Sequence, residues 1–249
     1  MKKMIDPVIF GVHAVSRVMN EEPGRVKVLY VQIGRCDATV ERLRAAATSH
    51  GLPIEDLPRH RLQQITGSGK HQGVAAIVDT IPPLDGRGLE QLLAGIDNPL
   101  LLALDGVQDP HNLGACLRSA EAAGVDAILV PRDRAVGVTG AVRKVASGAA
   151  DSVPVAQVTN LARTLRMLAD KNIWRFGAAA GEGRDLYELD LRGPLCLVFG
   201  GESQGMRRLT REHCDVLFNI PMHGSAESLN VSVATGVCLF EAVRQRRTS

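Results

Sequence analysis

The carboxyl-terminal 150 or so residues carry a rhythm that leaves few folds open. Short, nearly continuous apolar runs (residues 100–104, 127–130, 153–158, 173–178, 195–199 and 216–220) alternate with stretches of helical periodicity at 112–123, 139–147, 160–170 and 205–213. A strand that is apolar on both faces must be covered on both, and parallel strands need crossover helices between them. The pattern therefore predicts an α/β fold, a mostly parallel sheet between two helical layers. A last helix over 230–246 runs apolar through Val233, Val237 and Phe240 and ends in Arg-Gln-Arg-Arg.

The amino-terminal part reads as a separate, smaller α/β unit over 1–78. Residues 26–33 (VKVLYVQI) suit a strand. Residues 37–50 suit a helix capped by Asp37 and stopped by Gly51. A strand near Ile54, a helix over 59–65 and a strand over 74–78 follow. The Pro-, Gly- and Asp-rich DTIPPLDGRG marks a linker, placed at 79–97, before a third segment at 98–249. Charge supports the division: residues 1–75 hold 11 Lys+Arg against 7 Asp+Glu, and the remainder 18 against 20. A basic module on a slightly acidic body suits contact with a polyanion.

Composition excludes several classes. No stretch approaches the roughly 20 apolar residues of a membrane helix, and MKKMIDPVIF lacks a signal peptide's apolar run. The expected location is cytoplasmic, away from membranes. Five scattered cysteines without a C-x-x-C pair, and seven histidines without ligand spacing, suit reduced thiols and no metal site.

Ligands of such sheets bind beyond the carboxyl ends of the strands. Three segments follow strands there. DGVQDPHNLGACLRS (105–119) offers Asn112 as a helix N-cap and Arg118 on a helix rich in apolar neighbours. FGGESQGM (199–206) offers paired glycines for close backbone approach, and Glu202. The third runs from Ile220 through Ser228 and Leu229 to Asn230, the expected cap of the last helix. Residues 201–205 also fit G-x-S-x-G, so Ser203 is a candidate hydrolase nucleophile. Its partners His213, Asp215 and His223 crowd too close in sequence for that fold. GSGKH (67–71) fails as a nucleotide phosphate loop, because Gln64 replaces the first glycine and His71 the Ser/Thr.

Together the three segments resemble the motifs of the SpoU (TrmH) branch of the SPOUT RNA methyltransferases: Asn112-Leu-Gly-Ala with Arg118, Gly200-Gly-Glu202 with Gly205, and Ile220-Pro through Ser228-Leu-Asn230. Residues 1–78 resemble the L30e-like substrate-binding domain of these enzymes. Within the branch, the stretches VRKVASGAADSVPVAQVTNLARTLR and SLNVSVATGVCLFEAVRQR are most similar to the type that methylates a guanosine ribose in 23S rRNA. The resemblance implies a carboxyl-terminal SPOUT domain with a trefoil knot and a homodimer built on that domain. It implies S-adenosyl-L-methionine as cofactor, held at Gly200, Ile220 and Leu229, and 23S rRNA or an assembling large ribosomal subunit as partner.

The chemistry fits those residues. A methyl on a sulfonium is already activated, and the ribose 2′-hydroxyl is the reluctant partner. Catalysis needs in-line positioning and stabilisation of a developing alkoxide. Arg118 is expected to supply the fixed cation, with Asn112, Glu202, Ser228 and Asn230 orienting groups around it. Alternatives are methylation of tRNA on the same scaffold, a non-catalytic RNA-binding assembly factor, and a hydrolase using Ser203.

Overall fold

The computed structural model describes residues 8–79, 82–133, 142, 145–146, 149–202 and 204–247. The chain forms two compact units, Met1–Pro82 and Pro83–Ser249. The first holds β1 (Val8–Phe10), β2 (Val26–Gln32), β3 (Ile54–Leu57) and β4 (Val74–Val78), with helices α1 (Val12–Glu21), α2 (Ala38–Ser49) and α3 (Arg59–Thr66). Its sheet runs in the order β1-β4-β2-β3; β4 is antiparallel to both neighbours and β3 parallel to β2. Asp37 caps α2 by accepting the N–H groups of Thr39 and Val40, a contribution of about 1 kcal/mol. Val40, Leu43 and Ala47 of α2 and Val15, Val18 and Met19 of α1 pack against Leu29 and Val31 of β2. The sequence reading did not anticipate β1 and α1.

The second unit begins inside the expected linker. Asp85 accepts the Gly88 N–H and starts α4 (Gly86–Leu93), whose Leu89 and Leu93 are buried. Leu84 exchanges backbone hydrogen bonds with Val155 and Gln157. Part of the Pro- and Gly-rich punctuation that reads as a linker is thus a helix cap and its first turn, and the two units divide at Pro82 and Pro83, inside 79–97.

The remaining strands are β5 (Leu100–Asp105), β6 (Ala127–Pro131), β7 (Val155–Val158), β8 (Trp174–Ala178), β9 (Arg184–Asp185), β10 (Leu195–Gly200) and β11 (Val216–Asn219). They form one sheet in the order β7-β6-β5-β10-β8-β11-β9, and every neighbouring pair is parallel. Helices α5 (Pro110–Ala123) and α8 (Val231–Arg247) cover one face, while α4 and α6 (Leu161–Asp170) cover the other. Alternation within β5 shows why both layers form. Leu100, Leu102 and Leu104 face α5 and α8, whereas Leu101 and Ala103 face α4 and α6, all of them at most 2% exposed. Each leucine buried in this way contributes about 1.5–3 kcal/mol. The sequence-expected helix over 139–147 falls mostly outside the described residues. That expected over 205–213 shortens to α7 (Arg208–Glu212).

The chain lays down β5, β6 and β7 toward one edge, then crosses to build the other side, and β10 returns to lie beside β5. The reversal falls between β5 and β10. No helix among the described residues is long and apolar enough to cross a membrane.

Candidate active site

At the carboxyl ends of β10, β8 and β11, on the β10 side of that reversal, lies a cavity of about 440 Å³. Its size falls within the range of small-molecule pockets, and such a crevice is where α/β sheets bind ligands. Four stretches of chain line it: residues 178–181 after β8, Gly200, Gly201, Glu202 and Gly205 after β10, Asn219, Ile220 and Met222 after β11, and 227–231 entering α8. The expected residues Gly200, Glu202, Ile220, Ser228, Leu229 and Asn230 all lie on this wall. The small residues Ala178, Ala179, Ala180 and Gly181 went unremarked in the sequence, although they follow an apolar strand as the other three segments do.

The loop after β10 is shaped by close backbone approach. A Cβ on Gly200 would fall 1.9 Å from the carbonyl carbon of Gly205, and one on Gly201 would fall 2.5 Å from the Gly106 oxygen. The loop folds back on itself, with Gly205 N–H donating to the Gly201 oxygen. Both of its ends are fastened to Asp105, which ends β5. Gly201 N–H donates to the Asp105 carbonyl. The fully buried Asp105 carboxylate accepts the Arg207 backbone N–H at 2.8 Å and its Nε–H at 2.6 Å.

Helix α5 starts earlier than the sequence suggested. Asp109 is the N-cap, accepting the His111 N–H, and Pro110 occupies the first helical position, which proline favours. Asn112 therefore sits inside the first turn with its side chain available. Its Nδ2 donates to Glu202 Oε1 at 2.5 Å, and its Oδ1 accepts from Asn230 Nδ2 at 3.0 Å. Asn230 in turn caps α8, its Oδ1 accepting the Ser232 N–H at 2.9 Å. Three segments far apart in sequence thus meet in one hydrogen-bonded line, Glu202–Asn112–Asn230, at the cavity's edge.

Arg118 stands six residues beyond Asn112 on α5, about 9 Å along the axis. It is exposed, outside the cavity lining, and unpaired among the described residues. Beside it, Ser119 of α5 lies against Gly236 of α8. The outer side of α8 presents Val233 and Phe240, about half exposed, seven residues apart and hence on one side of the helix.

The hydrolase arrangement finds no support in the geometry. Ser203 lies outside the described residues. His213 and Asp215 precede β11, at the amino edge of the parallel sheet, and the loop bearing Ser203 leaves the carboxyl edge. Asp215 is held there by Arg175, through its backbone N–H and its guanidinium. Thiol nucleophiles are equally unsupported: burial pushes Cys116 up to about 11 and both Cys214 and Cys238 to about 12. Cys36 is exposed.

The pattern of the SpoU rRNA Methylase family matches residues 99–240, and that of RNA 2′-O ribose methyltransferase substrate binding matches residues 8–84. The 23S rRNA (guanosine-2′-O-)-methyltransferase RlmB of Shewanella oneidensis is 51% identical over 248 residues, covering 100% of both chains. The protein of the same name from Escherichia coli K12 is 51% identical over 239 residues, 96% of this chain and 98% of its own. Among solved structures, the SpoU methyltransferase AviRb from Streptomyces viridochromogenes, in complex with the cofactor AdoMet, superposes with a TM-score of 0.75. It is 25% identical and covers 97% of this chain and 91% of that one.

Proposed function

Since the chain belongs to the SpoU rRNA methylase family, we propose that it transfers a methyl group from S-adenosyl-L-methionine to the ribose 2′-hydroxyl of a guanosine in 23S rRNA. The observation that carries this reading is the Glu202–Asn112–Asn230 hydrogen-bonded line, which ties the first post-strand segment to the two that line the cavity. The residues fit the cofactor. Among the described residues the lining contains two carboxylates, Glu202 and Glu227, and neither lysine nor arginine, so a cationic sulfonium is favoured electrostatically. Glycine and alanine at residues 178–181, 200 and 201 let backbone groups come close to a bound molecule. When bound, the cofactor supplies an electrophilic methyl that needs no further activation.

The protein's task is then the nucleophile. Asn112, fixed at both ends of its amide by Glu202 and Asn230, presents a rigid polar edge at the cavity mouth. Such prearranged dipoles need not reorganise when charge develops on the ribose oxygen. Ser228, on the same wall, carries a hydroxyl that can donate to that oxygen or to the ribose. Arg118 supplies the cation that stabilises the developing alkoxide while the hydroxyl proton leaves to solvent water, since a guanidinium gives up its proton too reluctantly to serve as a base. Because Arg118 lies outside the cavity lining of a single chain, the complete site is assembled by a homodimer through the α5 and α8 faces. The exposed Val233 and Phe240 of α8 favour that arrangement.

Two measurements test this. Ribose methylation mapped across the stable RNAs of cells with and without the gene should lose one guanosine in 23S rRNA; loss of a tRNA site instead would redirect the substrate. Arg118→Ala should cut single-turnover transfer at least 100-fold while S-adenosyl-L-methionine binding, by calorimetry, stays near the unsubstituted value. Transfer at the normal rate would remove Arg118 from the mechanism.

A further inference from the structure

The first unit carries a constellation that the methyl-transfer site does not use. Three loops converge at one end of its sheet: the turn after β2 with Arg35, the start of α3 with Arg59, and residues 67–73 (GSGKHQG) leading into β4. Gln32 N–H donates to the Gly73 oxygen at 2.8 Å, and Ile33 N–H to the Leu57 oxygen at 3.0 Å. The Arg35 side chain lies directly on Gly73, where an added Cβ would stand 2.8 Å from its Cδ.

Within this cluster His71 is 1% exposed. Its Nδ1 accepts the Gly73 N–H at 3.0 Å, so Nδ1 carries the lone pair and the ring hydrogen sits on Nε2. That Nε2–H is buried and has no acceptor among the described residues. Burial, then the nearby charges of Arg59 and Arg35, hold the ring below its ordinary pKa and therefore neutral. Interiors rarely keep an orphan donor, and one that feels the charges of two nearby arginines calls for an incoming anion. Around it, Arg59 and Lys70 are exposed and in no ion pair among the described residues, whereas Arg35 shares its charge with Asp37.

We propose that Arg35, Arg59, Lys70 and the Nε2–H of His71 form a binding site for a phosphodiester of the substrate RNA. The GSGKH loop, whose spacing fails for a nucleotide cradle, takes a backbone phosphate instead. The phosphate supplies the missing acceptor of His71 and a counter-charge for Arg59 and Lys70, which have no ion pair among the described residues. A phosphate grip also suits a chain with 3% aromatic residues, which has few platforms for base stacking. This inference rests on the reading of the protein as an RNA methyltransferase.

The test is filter binding of a full-length 23S rRNA transcript over a salt series. The proteins are the unsubstituted chain, Arg59→Ala/Lys70→Ala, His71→Asn, and Arg42→Ala on α2 as control. Removing two phosphate contacts should weaken binding at least tenfold at low salt and flatten the slope of log K against log[salt] by about 1.4–1.8. In His71→Asn the amide oxygen takes the place of Nδ1 and keeps the Gly73 bond, while the Nε2–H is lost with the outer part of the ring. Its affinity should fall several-fold, with circular dichroism checking that the fold persists. Cofactor binding should be the same in all four. If the surface double variant, which has no reason to misfold, binds RNA with the affinity and slope of the control, the proposal is wrong. Should the unsubstituted chain itself bind no 23S rRNA, the methyltransferase reading fails first and takes this site with it.

Discussion

The sharpest constraint at the scale of single residues is Gly200. No other residue type fits where the chain passes 1.9 Å from a would-be Cβ, and the same loop forms one wall of the cavity. Gly200→Ala should push residues 200–206 outward and weaken S-adenosyl-L-methionine at least tenfold, about 1.4 kcal/mol, in isothermal titration. Unaltered affinity would mean that the wall can relax without consequence. Much of this site was legible from residue type and place. The pair Gly200–Gly201 stands directly at the end of an apolar strand, and Ser228 and Asn230 lie on the segment between β11 and α8, where a parallel sheet exposes its loops. What could not be read was partnership. Glu202 and Asn112 are 90 residues apart, and nothing in local periodicity says that one holds the other. Arg118 shows the opposite limit. Its apolar neighbours in sequence suggested that it faces an anion or a polar cleft, and in a single chain it stands on the exposed side of α5. The alanines at 178–180 escaped notice because small apolar residues carry no chemical signature of their own.

At the scale of elements, the loop between β10 and α7 behaves as a clasp whose two ends close on Asp105. A buried carboxylate left without its guanidinium is costly. Arg207 is 42% exposed, so the cost here is below that of a fully buried pair. Arg207→Ala should lower unfolding stability by about 1–3 kcal/mol in urea titration and speed tryptic cleavage after Arg208, with cofactor slowing that cleavage again. Unchanged protease sensitivity would show that the backbone bonds of residues 201 and 207 to Asp105 fix the loop without the guanidinium. Strands such as β5, β6 and β10 were legible because each is apolar on both faces, whereas β9, only Arg184–Asp185, was not. Helix α4 was not, since Pro82, Pro83 and Gly86 read as breaks while its buried signal rests on Leu89 and Leu93. α7 was read too long because Gly205 adopts a left-handed conformation (φ 63°), which turns the chain before the helix can start.

For the whole molecule, periodicity tells which strands are buried but not which strands are neighbours. The order β7-β6-β5-β10-β8-β11-β9 therefore lay beyond sequence patterning, as does any knot, which general rules of chain connection disfavour. Assembly belongs to this scale too. Val233 and Phe240 stand on the outer side of α8 at about half exposure, which a lone chain gains nothing by displaying. Phe240→Asp should convert a dimer to monomer in sedimentation velocity and reduce transfer at least tenfold, leaving the fold intact by circular dichroism. A substituted chain that sediments and reacts normally would place any subunit contact elsewhere.

The uneven shelter of the thiols has a practical consequence. Three cysteines of the larger unit hold their protons well past neutrality, and Cys196 is wholly enclosed. Only Cys36 meets solvent fully, next to Arg35 in the smaller unit. A maleimide dye added at neutral pH will therefore mark one position per chain without engineering, and its emission will report on whatever approaches that end of the smaller sheet.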